Sequence, residues 1–195
     1  MLDIVTHAIT AEDDYGSALA DVRSAYGAAS VIRERLSVDS WKLLGRLDSQ
    51  LSVDLSEADS EADISDAVER ALTTLSALSG LAQENINRVA GWRFIDMGRR
   101  VERAINTCRF ARSFAADRAN ADDLDILLDL IDSQITYRSR YLIGVALGPI
   151  RDMVMLDPFN PRSVAFQIDQ IRRHLMTLPT LNENGVPDEP RRLID

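Results

Sequence analysis

Hydrophobic residues along this chain recur every three to four positions, which is the spacing of one face of an α-helix. The first clear stripe lies between residues 11 and 36, and similar stripes follow it along most of the sequence. Alternation of apolar and polar residues, which would predict β-strands, occurs nowhere. The pattern therefore predicts an all-α protein, an up-and-down bundle of about five long helices with short helical connections.

Local signals predict the ends of the first helices. The second stripe follows Ser37, and Ser65 is the predicted N-cap of the third helix. The acidic stretch 56–63 between them has no stripe of its own and is predicted to be a solvated loop. Gly91 is expected to break or kink the chain before a charged helix that runs to about residue 115.

Similar signals predict the last helices. Asn120 is the predicted N-cap of a long helix, which Gly148-Pro149 should end because proline disfavours helical geometry in the residue before it. A short amphipathic piece over 150–156 leads to Asn160 and Pro161, the predicted N-cap and first residue of the last helix. Prolines and few apolar residues predict a flexible tail over 179–195, so the helical domain is expected to cover residues 1–178.

The segment from Gly91 to Arg103 carries one Asp, one Glu and four Arg within a single predicted helix. On a helical projection, one arc is predicted to face the core and is formed by Phe94, Met97, Gly98, Val101, Ala104, Ile105 and Cys108. The opposite arc holds Asp96, Arg99, Arg100 and Arg103, with Asp96 one turn before Arg100 as an i,i+4 pair. Glu102 flanks the apolar arc, where partial burial would require a partner.

Arg138 projects from the apolar stripe of the next predicted helix, where an arginine must pair or extend to solvent. We predict that it pairs with a carboxylate on a neighbouring helix, with Glu102 as first choice and Glu84 as second. In this interpretation the charges form a network that fixes helix register. The alternative is an anion pocket built from Arg93, Arg99, Arg103, Arg138, Arg140 and Arg162.

Composition excludes several classes of function. The net charge of −9 argues against binding to nucleic acid or to anionic membrane surfaces, since both depend on a basic footprint. No apolar run reaches the roughly 18 residues that span a bilayer, and the lone Cys108 fits a cytoplasmic protein. His7 and His174 are the only histidines available for a metal site or a catalytic triad. No Gly-rich phosphate loop occurs in the sequence. We therefore predict no metal, no cofactor and no catalytic residue.

Three separated blocks of the sequence carry a resemblance to a known family. The first comprises residues 83–88 and 91–104, and the others cover residues 132–141 and 156–167, with a further matching segment at 31–37. Together they resemble the alpha-E domain family, a bacterial all-helical domain named for a Glu-Arg motif, here Glu102-Arg103. The resemblance covers nearly the whole chain except the tail.

The resemblance implies a setting rather than a mechanism. Such domains are fused to, or encoded beside, ATP-grasp ligase-like and transglutaminase-like proteins, in systems associated with making or modifying peptides. Family members generally begin with an additional helix that bears an earlier Glu-Arg pair, and this chain is expected to lack it. The groove left by that helix should then be filled by a second copy of the chain or by another protein.

Two main hypotheses about function follow. In the first, the chain is a non-catalytic partner domain of an ATP-grasp peptide-ligase-like system that binds the ligase or its substrate. In the second, it is an anion- or carboxylate-binding or catalytic subunit, with Glu102 as a base. A third possibility is a scaffold whose only output is oligomerisation. The candidate residues, for a ligand site or an ion-pair network, are Glu84, Asn85, Arg88, Trp92, Arg93, Asp96, Arg99, Glu102, Arg103, Arg138, Arg140, Asn160 and Arg162.

Overall fold

A computed structural model describes residues 9, 17–86, 90–142 and 144–178 of the 195-residue chain. Every regular element among these residues is helical, which confirms the all-α prediction. The chain divides into two compact units, residues 1–87 and 88–195. None of the described helices combines the length and the apolar character that crossing a membrane would require. The predicted flexible tail, residues 179–195, lies outside the described residues.

The described part of the first unit contains three α-helices, α1 (Ala18–Val31), α2 (Val38–Ser56) and α3 (Glu61–Asn85), with a 3₁₀-helical turn at Arg33–Arg35. Each α-helix begins after a serine, because the hydroxyl oxygen of Ser17, Ser37 or Ser60 accepts a backbone N–H of the first turn. Leu19, Leu51, Leu55 and Ala67 are buried together and form the core that these helices share.

The start of α3 corrects the prediction that Ser65 caps it. The Ser60 hydroxyl oxygen accepts the backbone N–H of Asp63 at 3.2 Å, and the Asp63 carboxylate accepts both the Ser60 hydroxyl and the Asp59 N–H. This exchange satisfies N–H groups at the helix start and holds the pKa of Asp63 below its ordinary value, chiefly through the Ser60 hydroxyl. The acidic stretch therefore contributes the first turn of α3 rather than only a loop.

The described part of the second unit contains α4 (Ala90–Phe114), α5 (Ala121–Leu130), α6 (Gln134–Arg140), α7 (Leu147–Arg151) and α8 (Val164–Thr177), with a π-helical segment at Asp152–Leu156. Its core is formed by Leu127, Leu128, Ile150, Met153 and Val154, which are fully buried. The break predicted at Gly91 does not occur at that residue, because Gly91 lies inside α4; residues 87–89 are outside the described residues.

The single long helix predicted after Asn120 is wrong, because the chain turns between α5 and α6. Asp132 adopts a left-handed backbone with φ 51°. The Ser133 N–H donates to the Leu128 carbonyl at 2.8 Å, and the Asp132 N–H donates to the Asp129 carbonyl at 3.0 Å. This pattern of bonds is a Schellman motif, which usually has glycine at the left-handed position. Aspartate also tolerates that conformation, so the stop carries no glycine signal in the sequence.

Two other predicted helix ends are also wrong. Gly148 and Pro149 lie in the first turn of α7 instead of ending a helix, a position where the missing N–H of proline costs little. Ser163, not Asn160, caps α8, and its hydroxyl oxygen accepts the Phe166 N–H at 3.0 Å. Asn160 is buried before that cap, where its side chain accepts the Arg162 N–H and donates to the Met153 carbonyl.

Candidate functional site

The orientation of α4 is the reverse of the predicted one. Phe94 is 60% exposed, and Val101, Ile105 and Cys108 are exposed as well, whereas Asp96 is only 4% exposed. Met97 is buried as predicted. The reason is that α4 packs along α8, whose facing side chains include polar groups that give the charges of α4 a place to pair.

The Asp96 carboxylate is the centre of a buried network. Its Oδ2 atom accepts the Arg100 Nε–H at 3.1 Å and the His174 Nε2–H at 2.8 Å, and the His174 ring contacts Trp92 edge to face at 5.2 Å. Burial alone would raise the pKa of Asp96, but the bonds from His174 and Arg100 outweigh it, so the pKa lies below its ordinary value. The Asp96–Arg100 contact pairs the two opposite charges, and the bond between Asp96 and His174 links α4 to α8.

Gln167 connects Arg100 to the segment that precedes α8. The fully buried Gln167 side chain accepts Arg100 Nη1–H at 3.3 Å and donates to the Pro161 carbonyl at 2.6 Å. The Arg100 guanidinium also lies over the Phe166 ring, 5.5 Å from its centroid. Because Arg162 follows Pro161 directly, this chain of bonds brings the backbone of Arg162 to the same side of α4 as Arg100.

Arg99, Arg100 and Arg103 lie within about one turn of one another on α4, and the charge of Arg162 acts on Arg103 together with theirs; we call these four residues the arginine cluster. Arg103 is partly buried, yet among the described residues its guanidinium has no hydrogen bond and no ion pair. Its burial lowers its pKa, and the positive charges of Arg162, Arg100 and Arg99 lower it further, whereas the charge of Asp96 acts in the opposite direction. The positive charge at Arg103 is therefore poorly compensated by the protein.

The other members of the arginine cluster differ in how firmly they are held. Arg162 Nη2 donates to Asp132 Oδ2 at 2.5 Å, at the Schellman turn that the sequence did not predict. This ion pair is solvent-exposed, with 80% of the Asp132 side chain accessible, so it restrains Arg162 only weakly. Arg99 is exposed and has no ion pair within the described part of the chain.

The predicted pairing of Arg138 with Glu102 is wrong. Arg138 is exposed on α6, and no ion pair of its guanidinium occurs among the described residues of the second unit. The turn at residues 131–133 gives α6 its own orientation, in which Tyr137 faces the core. The long predicted helix would have placed Arg138 at that buried position instead. Glu102 is also exposed, and its carboxylate accepts the Asn106 side-chain N–H at 2.8 Å.

Other predicted site residues have local structural partners. Arg140 forms an ion pair with the buried carboxylate of Asp157, which raises the pKa of Arg140. Burial would raise the pKa of Asp157, but the Phe159 N–H and Arg140 outweigh it, and the pKa is lowered. Arg93 Nη1 donates to the Thr177 carbonyl at 2.7 Å, at the end of α8.

The remaining candidates lie elsewhere in the chain. Glu84 and Asn85 are exposed at the end of α3, in the first unit, and Arg88 is outside the described residues. The structure confirms the i,i+4 pair of Asp96 and Arg100 and adds two residues that the sequence did not indicate, Gln167 and His174. The only signal for them was their register on α8, whose contact with α4 could not be inferred. No group of three potential metal ligands occurs in the part of the chain that the structure describes.

Comparison with known proteins identifies a family but no described activity. The model of the Alpha-E family, described as a predicted alpha-helical domain with a conserved ER motif, matches residues 1–195. An uncharacterised protein of Mycobacterium tuberculosis is 28% identical over 196 residues, and an uncharacterised protein of Mycobacterium bovis matches to the same degree. Each match covers 94% of this chain but only 21% of the relative, so the chain spans about a fifth of their length. No solved structure matches the chain.

Proposed function

The chain belongs to the Alpha-E family, and on that premise we propose that it is an anion-binding helical domain. The arginine cluster holds a carboxylate or phosphate group of a ligand. The partly buried guanidinium of Arg103, which has no partner among the described residues, is the observation that carries this proposal. Arg103 belongs to the Glu102-Arg103 pair that we assign to the ER motif of the family.

The energetics of buried charge support this interpretation. A partly buried cation without a carboxylate loses hydration and gains nothing in return, so it lowers the stability of the protein. A network built only to fix helix register would pair such a group, as Asp96 is paired with Arg100 and His174. An anionic ligand would supply the missing partner, and guanidinium forks match the geometry of carboxylate and phosphate oxygens.

Binding of simple anions tests the proposal. We expect isothermal titration calorimetry at constant ionic strength to detect phosphate or acetate binding to the wild type and no binding to Arg103→Met. Arg112→Met is the matched control, because Arg112 is an exposed arginine in the last turn of the same helix. Equal binding by the wild type and Arg103→Met would refute the proposal, because the anions would then bind elsewhere.

We further propose that this domain serves as a non-catalytic partner in a peptide-synthesis or peptide-modification system, beside an ATP-grasp-like or transglutaminase-like protein. The family resemblance supports this setting, and so does the match to about a fifth of much longer proteins, in which the domain is one part of a larger chain. Affinity purification at native expression level tests it. Recovery of an ATP-grasp-like or transglutaminase-like protein is expected, whereas recovery of neither would contradict the partner role.

The catalytic alternative, with Glu102 as a base, stays a prediction. Glu102 is exposed and bonded only to Asn106 among the contacts described for it, so its carboxylate is accessible to a ligand. Glu102→Gln should leave stability unchanged within about 0.5 kcal/mol, since the residue is at the surface. Loss of turnover in this well-folded variant, once a reaction is identified, would favour catalysis, and unchanged turnover would exclude the base.

A further inference from the structure

We infer that the group held by the arginine cluster is a dianionic phosphoryl group rather than a monoanionic carboxylate. The inference rests on the proposed anion-binding function and specifies its ligand. It follows from the charge balance around Arg103 and from the way the four guanidinium groups are anchored. A phosphate monoester carries about two negative charges at neutral pH, whereas a peptide carboxylate carries one.

Counted over its four guanidinium groups and the two carboxylates bonded to them, the arginine cluster carries an excess of two positive charges. Arg99, Arg100, Arg103 and Arg162 supply four cations, and Asp96 and Asp132 are the carboxylates bonded to them. Asp96 already accepts Arg100 and His174, and Asp132 already accepts Arg162. One carboxylate ligand would neutralise half of the excess, whereas one phosphoryl dianion would neutralise all of it.

The anchoring of the cluster suits a group with several oxygen atoms. Arg100 is fixed by Asp96, Gln167 and the Phe166 ring, so its position changes little on binding. Arg99 and Arg103 lie one helical turn apart on α4, without protein acceptors among the described residues, so their N–H groups remain available. Arg162 enters from the segment before α8 and is restrained only by an exposed ion pair. Donors from two segments can surround three phosphoryl oxygens, whereas a carboxylate offers two.

Competing anions distinguish a dianion from a monoanion. We would titrate the full chain with formate, sulfate and methyl phosphate at constant ionic strength and follow the arginine side-chain Nε–H signals by NMR. At pH 7.5, sulfate and methyl phosphate are expected to bind about tenfold more tightly than formate, because each presents a second charge to the cluster. Arg103→Met should lose this binding, and Arg112→Met should keep it.

The pH dependence gives an independent readout. A phosphate monoester has a second pKa of about 6, so its dianionic fraction falls about tenfold between pH 7.5 and pH 5. Because the monoanion that replaces it is expected to bind about tenfold more weakly, the affinity for methyl phosphate should fall about fivefold. Sulfate stays a dianion over this range, so its affinity should stay unchanged and controls for titration of the protein itself.

The outcomes separate the two proposals. Binding of formate as tightly as sulfate, with loss of both in Arg103→Met, would overturn the dianion inference and leave the anion-binding function standing. Methyl phosphate binding that does not weaken at pH 5 would also overturn the inference. Failure of all three anions to bind, or equal binding to Arg103→Met, would overturn both proposals.

Discussion

Asp96 and Arg103 are charged residues on the same side of the same helix, two turns apart, yet the protein treats them in opposite ways. The buried carboxylate of Asp96 is bonded to Arg100 and His174, and its charge is stabilised. The partly buried guanidinium of Arg103 has other cations around it and no partner within the described residues. Burial of a charge alone therefore does not distinguish a structural role from a binding role; the balance of its partners does.

The largest expected effect is the loss of stability caused by replacing Asp96. Asp96→Asn removes the charge that pairs with Arg100 and His174, and the amide cannot accept both donors as strongly. We expect the free energy of unfolding, measured by urea denaturation, to fall by about 3 kcal/mol. Asp169→Asn is the control, because the Asp169 carboxylate pairs with two exposed arginines and should cost less than about 1 kcal/mol. Equal losses in the two variants would contradict a buried network at Asp96.

The acid dependence of the free energy of unfolding tests whether Asp96 is the carboxylate that stabilises this network. Its pKa is below the ordinary value of 3.8 in the folded protein, so the unfolded chain binds a proton more readily. The stabilisation is therefore complete above pH 3.8 and is lost as the pH falls through the lower folded pKa. The stability difference between wild type and Asp96→Asn, followed by urea denaturation from pH 6 to pH 2.5, should shrink below about pH 4. A constant difference over that range would show that Asp96 is not the group responsible.

Replacing Arg103 by methionine should change the free energy of unfolding in the opposite direction from Asp96→Asn. Methionine retains much of the aliphatic stem while removing a cation that has no partner among the described residues. In chloride buffer without phosphate or sulfate, we expect the free energy of unfolding to rise by about 1 kcal/mol. A loss of about 2 kcal/mol or more would mean that Arg103 is a structural residue like Asp96.

The smallest expected effect is at Asp132, which competes with a ligand for Arg162. Asp132→Asn removes an exposed carboxylate, so stability should change by less than about 0.5 kcal/mol. Asparagine also tolerates the left-handed backbone at this position. Sulfate affinity, measured by calorimetry, should increase about twofold, because one competing charge is removed. Weaker sulfate binding would place Asp132 on the ligand side of the site instead.

Parts of the fold follow directly from the sequence. Ser37 and the stripe that follows it predict α2, and the first-turn bonds of the structure give the reason. The turn at Asp132 was not predictable, because its Schellman motif has aspartate where glycine would signal a helix stop. The missed turn then produced the wrong environment for Arg138, since an error in one helix boundary changes the face of every residue after it.

The site was predicted only in part for a related reason. Arg99, Arg103 and Arg162 were among the residues of the predicted anion pocket; Arg99 and Arg103 lie one turn apart on α4, and the charge of Arg162 acts on Arg103. Gln167 and His174 were not selected, because their bonds to Arg100 and Asp96 come from the contact between α4 and α8, whereas the Asp96–Arg100 pair lies within α4 and follows from its i,i+4 spacing. Helical periodicity describes each helix alone, and an apolar stripe predicts the buried face only when the neighbouring helix is apolar too. On α4 the polar face is buried because α8 supplies acceptors and donors for it.

The sulfate dependence of the free energy of unfolding measures whether the Arg103 guanidinium binds an anion. The free energy of unfolding would be measured by urea denaturation for wild type and Arg103→Met, at increasing sulfate concentration and constant ionic strength. If Arg103 binds sulfate, each tenfold increase in sulfate above the dissociation constant should stabilise the wild type by about 1.4 kcal/mol more than the variant. The same sulfate dependence in both proteins would contradict it, and would make Arg103 an ordinary surface charge.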